Sequence, residues 1–132
     1  MRILFDTNVL IAAFIHNGRC YELVLTAREN HHEIYYTSFI IKELKDVLSR
    51  KFRLSEQAIN AVLKVIKNFL KKGTSAKEII DPACRDHKDD QVLADALINK
   101  IDLIITGDKD LLTLHSYKGI KILSPQESLE LI

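Results

Sequence analysis

Residues 2–11 read RILFDTNVLI, and this stretch decides the fold that the sequence predicts. The apolar run Ile3–Phe5 is typical of a short buried strand, and Asp6 ends that run. A second apolar run, Val9–Ile15, begins after two polar residues and predicts a helix. Ligands of open α/β sheets bind at the carboxyl ends of parallel strands. Asp6 is therefore a candidate site residue, and other residues are expected to converge on it.

The rest of the chain alternates strands and helices. Further strands are predicted where β-favouring or continuous apolar residues collect, at Glu33–Ser38, Leu103–Thr106 and Ile120–Leu123. Helical spacing and capping residues predict helices over Arg19–Arg28, from Ser38, from Ser55 to Gly73, from Asp89 or Asp90, over Lys109–Leu114 and from Ser124. The first helix should break near Asn17-Gly18, and Asp81-Pro82 predicts a turn. This alternation predicts a single α/β domain over residues 1–132 with a mainly parallel sheet.

Composition favours a soluble cytoplasmic protein. Apolar residues make up 47% of the 132 residues and charged residues 28%, which is ordinary for a globular domain. No apolar run suits a secretory leader or a membrane span, and two cysteines imply no disulfide framework. The net charge of +1 gives no general attraction for nucleic acid, so such binding needs a local patch. Candidates are the lysines of the helix after Ser55 and the preceding Arg50, Lys51 and Arg53.

Two acids occupy mirrored positions at strand ends. Asp6 follows Ile3–Phe5, and Asp108 follows the apolar run that begins at Leu103. If both strands lie centrally in one parallel sheet, the two carboxylates reach the same edge. A third acidic group, Asp86–Asp90, lies where another helix should begin. Any one of these acids could simply cap a helix, but together they favour a site for a hard divalent cation.

Other chemical motifs are weak. The histidines lack paired metal-ligand spacing, and Cys84-x-x-His87 is half of a zinc pattern with no second half. A phosphate-binding glycine loop and a nucleophile elbow are both missing from the sequence. The acidic groups therefore carry the functional prediction.

Four motifs in order resemble the PIN domain family, in particular the VapC-like toxins of toxin–antitoxin systems. ILFDTNVLIAAF resembles the opening strand with its acid Asp6, and IIKEL resembles the helix that carries Glu43. KDDQVLADA resembles the third motif, in which the third residue before Leu93, Asp90, is taken as the acid. DLIITGDKDLL resembles the fourth motif, with Asp108 as its acid and Asp110 nearby.

The resemblance implies a three-layer α/β/α sandwich and a Mg²⁺- or Mn²⁺-dependent endoribonuclease. It implies Asp6, Glu43, Asp90 and Asp108 as catalytic and metal-binding residues, with Thr7, Asn8, Thr106 and Asp110 supporting them. It also implies an RNA substrate, a small cognate antitoxin and a homodimer.

Two alternatives remain open at the level of sequence. One is a non-catalytic RNA- or protein-binding module on the same fold. The other is a haloacid-dehalogenase-type phosphatase, because Asp6-Thr7-Asn8-Val9 resembles that family's nucleophile motif. Asn8 stands where that motif has its acidic second residue, which weakens the phosphatase hypothesis.

Overall fold

The computed structural model describes residues 1–16, 18–79 and 82–132, and in them a six-stranded sheet is flanked by helices. The strands are β1 (Arg2–Phe5), β2 (Glu33–Tyr36), β3 (Lys71–Lys72), β4 (Leu103–Ile105), β5 (Ser116–Tyr117) and β6 (Ile120–Leu123). The helices are α1 (Thr7–Phe14), α2 (Arg19–Glu29), α3 (Ser38–Arg50), α4 (Glu56–Phe69), α5 (His87–Ile98), α6 (Lys109–Leu112) and α7 (Pro125–Ser128). This is the α/β sandwich with a mainly parallel sheet that the sequence predicted.

The strand order β3-β2-β1-β4-β6-β5 places the site. Every pairing is parallel except that of β5 with β6. The chain moves outward from β1 to β3 and then returns to β4 on the other side of β1. Contacts of α1 with α2 and α3, and of α3 with α4, place these four helices together, and the right-handed rule for parallel connections predicts α5 on the opposite face. The order therefore reverses between β1 and β4, which is where open sheets of this kind bind ligands.

Burial explains why β1 and β4 are central. All three residues of β4 and Ile3–Phe5 of β1 have no exposed surface, as expected of strands covered on both faces. Ile3 is paired with Leu103 and Phe5 with Ile105, so the two strands end at the same level. Asp6 and Thr106, the next residue of each chain segment, therefore leave the sheet side by side.

Several predicted helix boundaries are corrected. Thr37 rather than Ser38 caps α3, because its hydroxyl accepts the backbone N–H of Ile40. Asp86 caps α5, not Asp89 or Asp90, since its carboxylate accepts the N–H of Lys88. The fourth helix ends at Phe69, four residues before Gly73, because the chain turns extended at Leu70 and forms β3. The predicted capping box at Ser124 and Glu127 is confirmed.

The sequence did not predict two of the strands, and two predicted features include residues outside the described ones. β3 and β5 have two residues each, too few for an alternating pattern to reveal them. The predicted turn at Asp81-Pro82 and the break at Asn17-Gly18 each include a residue that lies outside the described ones, Asp81 and Asn17.

In the described ranges, no helix is long and apolar enough to cross a membrane.

Candidate metal centre

Thr106 joins the two strand-end acids through one hydroxyl group. Its Oγ1 donates to Oδ2 of Asp6 at 2.7 Å and accepts the backbone N–H of Asp108 at 3.0 Å. Oδ1 of Asp6 accepts the N–H of Thr7 at 2.8 Å, so this carboxylate also caps α1. The backbone N–H of Asp6 bonds to the carbonyl of Ile105 at 3.0 Å. Asp6 and Asp108 are therefore held in fixed relation, as the mirrored sequence positions predicted.

Burial and a nearby charge raise the pKa of Asp6, whereas its hydrogen bonds lower it. Its side chain is buried, and this burial raises the pKa of Asp6. The hydrogen bonds from Thr106 and Thr7 lower that pKa, and the charge of Asp108 raises it. The carboxylate is thus costly to ionise in the absence of a compensating positive charge.

Asp89 is the buried acid of the cluster. Carboxylate oxygens of Asp89, Asp108 and Asp110 lie within 4.8 Å of one another. Asp89 is 6% exposed, and its Oδ2 is fully buried with no hydrogen-bond partner among the described residues. Burial first, and then the neighbouring Asp108, raise the pKa of Asp89 to about 7. An orphaned buried oxygen beside two further acids is a position that a cation would satisfy.

Asp90, the acid expected from the motif, has a different environment. Its Oδ1 accepts the backbone N–H groups of Ala83 at 2.8 Å and Cys84 at 2.9 Å. Successive residues of a helix point about 100° apart, so Asp89 and Asp90 leave α5 in different directions. The structure brings Asp89 to the cluster and turns Asp90 to the segment that precedes α5.

Glu43 reaches the same region from α3. The hydroxyl of Thr7 donates to its Oε1 at 2.9 Å, so Thr7 contacts both Asp6 and Glu43. Burial raises the pKa of Glu43, the charge of Asp6 adds to this, and the Thr7 hydrogen bond and Lys88 oppose it. Thr7 and Glu43 are 36 residues apart in sequence, and the hydrogen bond between them places Glu43 beside Asp6.

The predicted supporting residues divide into two groups. Thr7 and Thr106 hold the acids by the bonds given above, and the N–H of Asp110 donates to Oδ1 of Asp108 at 2.8 Å. Asp110 also forms an ion pair with the exposed Arg85, whose Nη2 lies 2.8 Å from Oδ1. Asn8 is exposed on α1 and has no hydrogen bond to these acids within the described part of the chain.

The donor set suits a hard divalent cation. All candidate ligand atoms in the cluster are carboxylate oxygens, which Mg²⁺ and Mn²⁺ prefer, with no sulfur or imidazole among them. The buried Oδ2 of Asp89 supplies the observation that an ion would explain. The residues present thus fit such an ion.

A signal for Asp89 was present in the sequence. Asp89, Leu93 and Ala96 are spaced i, i+4, i+7 and share one helix face. Leu93 and Ala96 are almost fully buried, so this face is turned into the molecule. This spacing makes Asp89 a candidate for a buried acid, but Asp90 also shares a face with Leu93, so the sequence alone does not choose between them.

Comparison with known proteins agrees with the fold and the order of motifs. The family model described as PIN domain matches residues 2–110. An uncharacterized protein of Methanocaldococcus jannaschii is 31% identical over 145 aligned positions, covering 98% of this chain and 90% of the relative.

Two solved structures share the fold. One is VapBC2 from Rickettsia felis bound to a DNA fragment from their promoter, with a TM-score of 0.69 and 11% identity over 92% of this chain and 97% of that one. The other is the PIN domain endonuclease Utp24, with a TM-score of 0.61 and 18% identity over 93% and 84%. At these identities the likeness concerns the fold.

Proposed function

The chain belongs to the PIN domain family, and from this premise we propose that it is a metal-dependent endoribonuclease. The observation that carries the proposal is the group formed by Asp89, Asp108 and Asp110, in which a buried carboxylate oxygen has no partner among the described residues. Acids crowded in this way repel one another, and a bound divalent cation would relieve the repulsion. We propose Mg²⁺ or Mn²⁺ as that cation.

Each acid has a distinct task in this proposal. Asp89, Asp108 and Asp110 would hold the ion with Asp6 alongside, and Asp90 has a structural role. When bound, the ion would lower the pKa of a water molecule and offset the charge that develops on the phosphate. Thr106 and Thr7 fix Asp6 so that its carboxylate does not rotate away. Such support is typical of carboxylates that bind metals.

Glu43 is proposed to orient the attacking water. Its Oε1 is held by Thr7, while its Oε2 has no hydrogen-bond partner among the described residues. The raised pKa of Glu43 suits a carboxylate that accepts a proton as the water attacks. The leaving group is the ribose oxygen of the cleaved phosphodiester, and inversion at phosphorus follows from in-line attack.

RNA cleavage by the purified chain tests this proposal. With Mg²⁺ or Mn²⁺, wild type should cut a mixed single-stranded RNA, and EDTA should stop the reaction. Asp89→Asn should lower the rate at least about a hundredfold, because it removes a charged ligand group while keeping its size. Glu130→Gln, at an exposed position away from the cluster, is the matched control and should cleave normally. Full cleavage in EDTA, or by Asp89→Asn, would reject the assignment.

We further propose that the chain is the toxin of a two-component pair, with a small cognate antitoxin and a homodimer as its assembly. The support is the similarity in fold to VapBC2. Expression of wild type in the cytoplasm of a host cell should stop the growth of the host. Expression of Asp89→Asn should leave growth unchanged. Equal growth with both proteins would contradict the toxin role. The nuclease proposal would still be decided by the RNA-cleavage assay described above.

The phosphatase alternative is disfavoured by the environment of Asp6. A carboxylate nucleophile must approach the phosphorus of its substrate directly, and the burial of Asp6 limits that approach. Asn8 is exposed and cannot act as the general acid that such a phosphatase needs.

A further inference from the structure

Two open grooves meet along α3. One, of about 540 Å³, is lined by Lys42, Lys45 and Lys88 with Phe39, Glu43, Asp46 and Val47. The other, of about 330 Å³, is lined by Lys42, Lys45, Lys67 and Lys72 with Tyr36, Ser38 and Ile41. The two share Lys42 and Lys45, so they adjoin each other at these residues. We call this surface the lysine groove, defined by Lys42, Lys45, Lys67, Lys72 and Lys88.

The lysine groove carries positive charge that no ion pair neutralises among the described residues. None of its five lysines forms an ion pair with another residue of the described ranges. Of the two acids that line it, Asp46 pairs with Arg50 at 2.9 Å and Glu43 accepts a hydrogen bond from Thr7. By contrast, Lys71 is paired with Glu33. The groove thus presents unpaired ammonium groups on a chain whose net charge is only +1.

The lysine groove lies next to the residues that lead to the acidic cluster. Glu43 lines the first groove and is joined through Thr7 to Asp6. Lys88 lines the same groove and immediately precedes Asp89 in α5. From there the lysines continue over α3 to Lys67 on α4 and Lys72 on β3.

We propose that the lysine groove binds the sugar–phosphate backbone of single-stranded RNA on one side of the phosphate that is cut. This inference rests on the proposed function and assigns the path of its substrate. Lysines make point-charge contacts with phosphates that fix position without reading sequence. Phe39 lines the same surface and is partly exposed, and an aromatic ring is suited to contact an unstacked base. The lysine groove lies beside the centre that is proposed to cleave phosphodiesters, and its charge is complementary to phosphate groups.

RNA binding measured without cleavage separates this inference from the proposed function. The full chain is kept in EDTA, and the affinity for a fluorescent single-stranded oligoribonucleotide is measured across a range of salt concentrations. The test variant carries Lys45→Gln, Lys67→Gln and Lys72→Gln together. The control variant carries Lys51→Gln, Lys64→Gln and Lys121→Gln, which removes the same charge from exposed positions outside the groove.

The test variant should bind at least about tenfold more weakly, and the slope of log K against log salt should fall by about 2 in magnitude. The control should keep most of the wild-type slope. Thermal unfolding of both variants checks that each is folded. Equal losses in the two variants, or no loss in either, would overturn the inference.

A polyglutamate peptide serves as the competing probe. If the test variant loses affinity for polyglutamate while its RNA binding is unchanged, the lysine groove is a protein-binding surface and the inference fails. If the test variant loses RNA affinity while wild type cleaves no RNA with Mg²⁺, the binding surface stands and the nuclease proposal fails. The two results are therefore distinguishable.

Discussion

Adjacent aspartates in α5 show how one helix gives neighbouring residues separate tasks. Asp89 faces Asp108 with a buried oxygen that has no partner in the described chain, and Asp90 accepts two backbone N–H groups from residues 83 and 84. The carboxylate of Asp89 therefore lacks a positively charged partner among the described residues. The carboxylate of Asp90 satisfies donors that would otherwise lose their partner. Substitution at the two positions should therefore affect different properties.

Asp90→Ala should lower the free energy of unfolding by about 1 to 3 kcal/mol, because two backbone donors lose their acceptor. Urea unfolding monitored by circular dichroism measures the change. Asp90→Asn keeps an oxygen at the same place and is the control, with a smaller loss expected. A fully stable Asp90→Ala that has lost all RNA cleavage would instead assign Asp90 to the chemistry.

The pKa of Asp89 predicts a pH dependence of stability. Because burial and Asp108 raise this pKa from 3.8 to about 7, the metal-free folded chain binds the proton more tightly than the unfolded chain. The stability that this proton provides is fully present below about pH 4 and is lost as pH rises through about 7.

Asp89→Asn should therefore be more stable than wild type at pH 8 in EDTA, by about 1 to 3 kcal/mol. The difference should shrink steadily as pH falls toward 4.5. Urea unfolding at several pH values gives the comparison, and Glu130→Gln should show no such trend. A constant difference at all pH values would show that Asp89 does not titrate in this way.

At the scale of elements, a strap of residues 73–76 holds the end of β3 against α5. The side chain of Asn99 accepts the N–H of Thr74 at 2.9 Å and donates to the carbonyls of Thr74 and Asp95, both at 2.7 Å. The carboxylate of Asp95 accepts from the backbone N–H of Ala76 at 2.6 Å. These bonds tie the segment that follows the edge strand β3 to the C-terminal part of α5.

Gly73→Ala should weaken this strap. A Cβ at Gly73 would lie 2.8 Å from Oδ1 of Asn99, and the amide cannot move without losing its bonds. The free energy of unfolding should fall by about 1 to 3 kcal/mol. In an Asn99→Ala background the same substitution should cost less than about 0.5 kcal/mol, because the obstructing amide is gone. Additive effects in this double-mutant cycle would refute the explanation.

Elements differ in how far the sequence predicts them. The capping box at Ser124 and the apolar strands β1 and β4 follow from local residues alone, so their prediction is confirmed. The short strand β3 exists because the chain is held beside β2 and strapped to α5, which no local pattern encodes. The cap of α5 was misplaced because three aspartates within five residues offered equivalent local signals, and only tertiary contacts select Asp86.

At the scale of the whole molecule, ligand binding should be coupled to global stability. If a divalent cation binds the folded cluster and not the unfolded chain, it shifts the unfolding equilibrium by mass action. At a hundredfold excess over Kd, Mn²⁺ should raise the Tm of wild type by roughly 5 to 10 °C. Asp89→Asn should show little increase, whereas Asp90→Asn should keep it. Equal increases in all three proteins would place the ion elsewhere.

The fold of the whole chain was predictable, and the membership of the site was predictable in part. Asp6 and Asp108 could be placed together because the parallel register of β1 and β4 brings strand ends to one edge. Glu43 was found by family resemblance alone, since its approach depends on how α3 packs beside α1. The lysine groove combines residues from four elements, so its members could not be recognised from any one stretch of sequence.

The hydrogen bond between Thr106 and Asp6 joins residues that lie 100 positions apart. On a ribosome, the residues from Asp6 to Asp90 emerge well before Thr106, Asp108 and Asp110. A nascent or truncated chain that lacks β4 can place neither the hydroxyl that orients Asp6 nor the last two acids of the cluster. Synthesis itself therefore delays the completion of the site until β4 and the residues up to Asp110 have been made. For the endoribonuclease proposed above, this means that the messenger being translated meets no finished centre before that point.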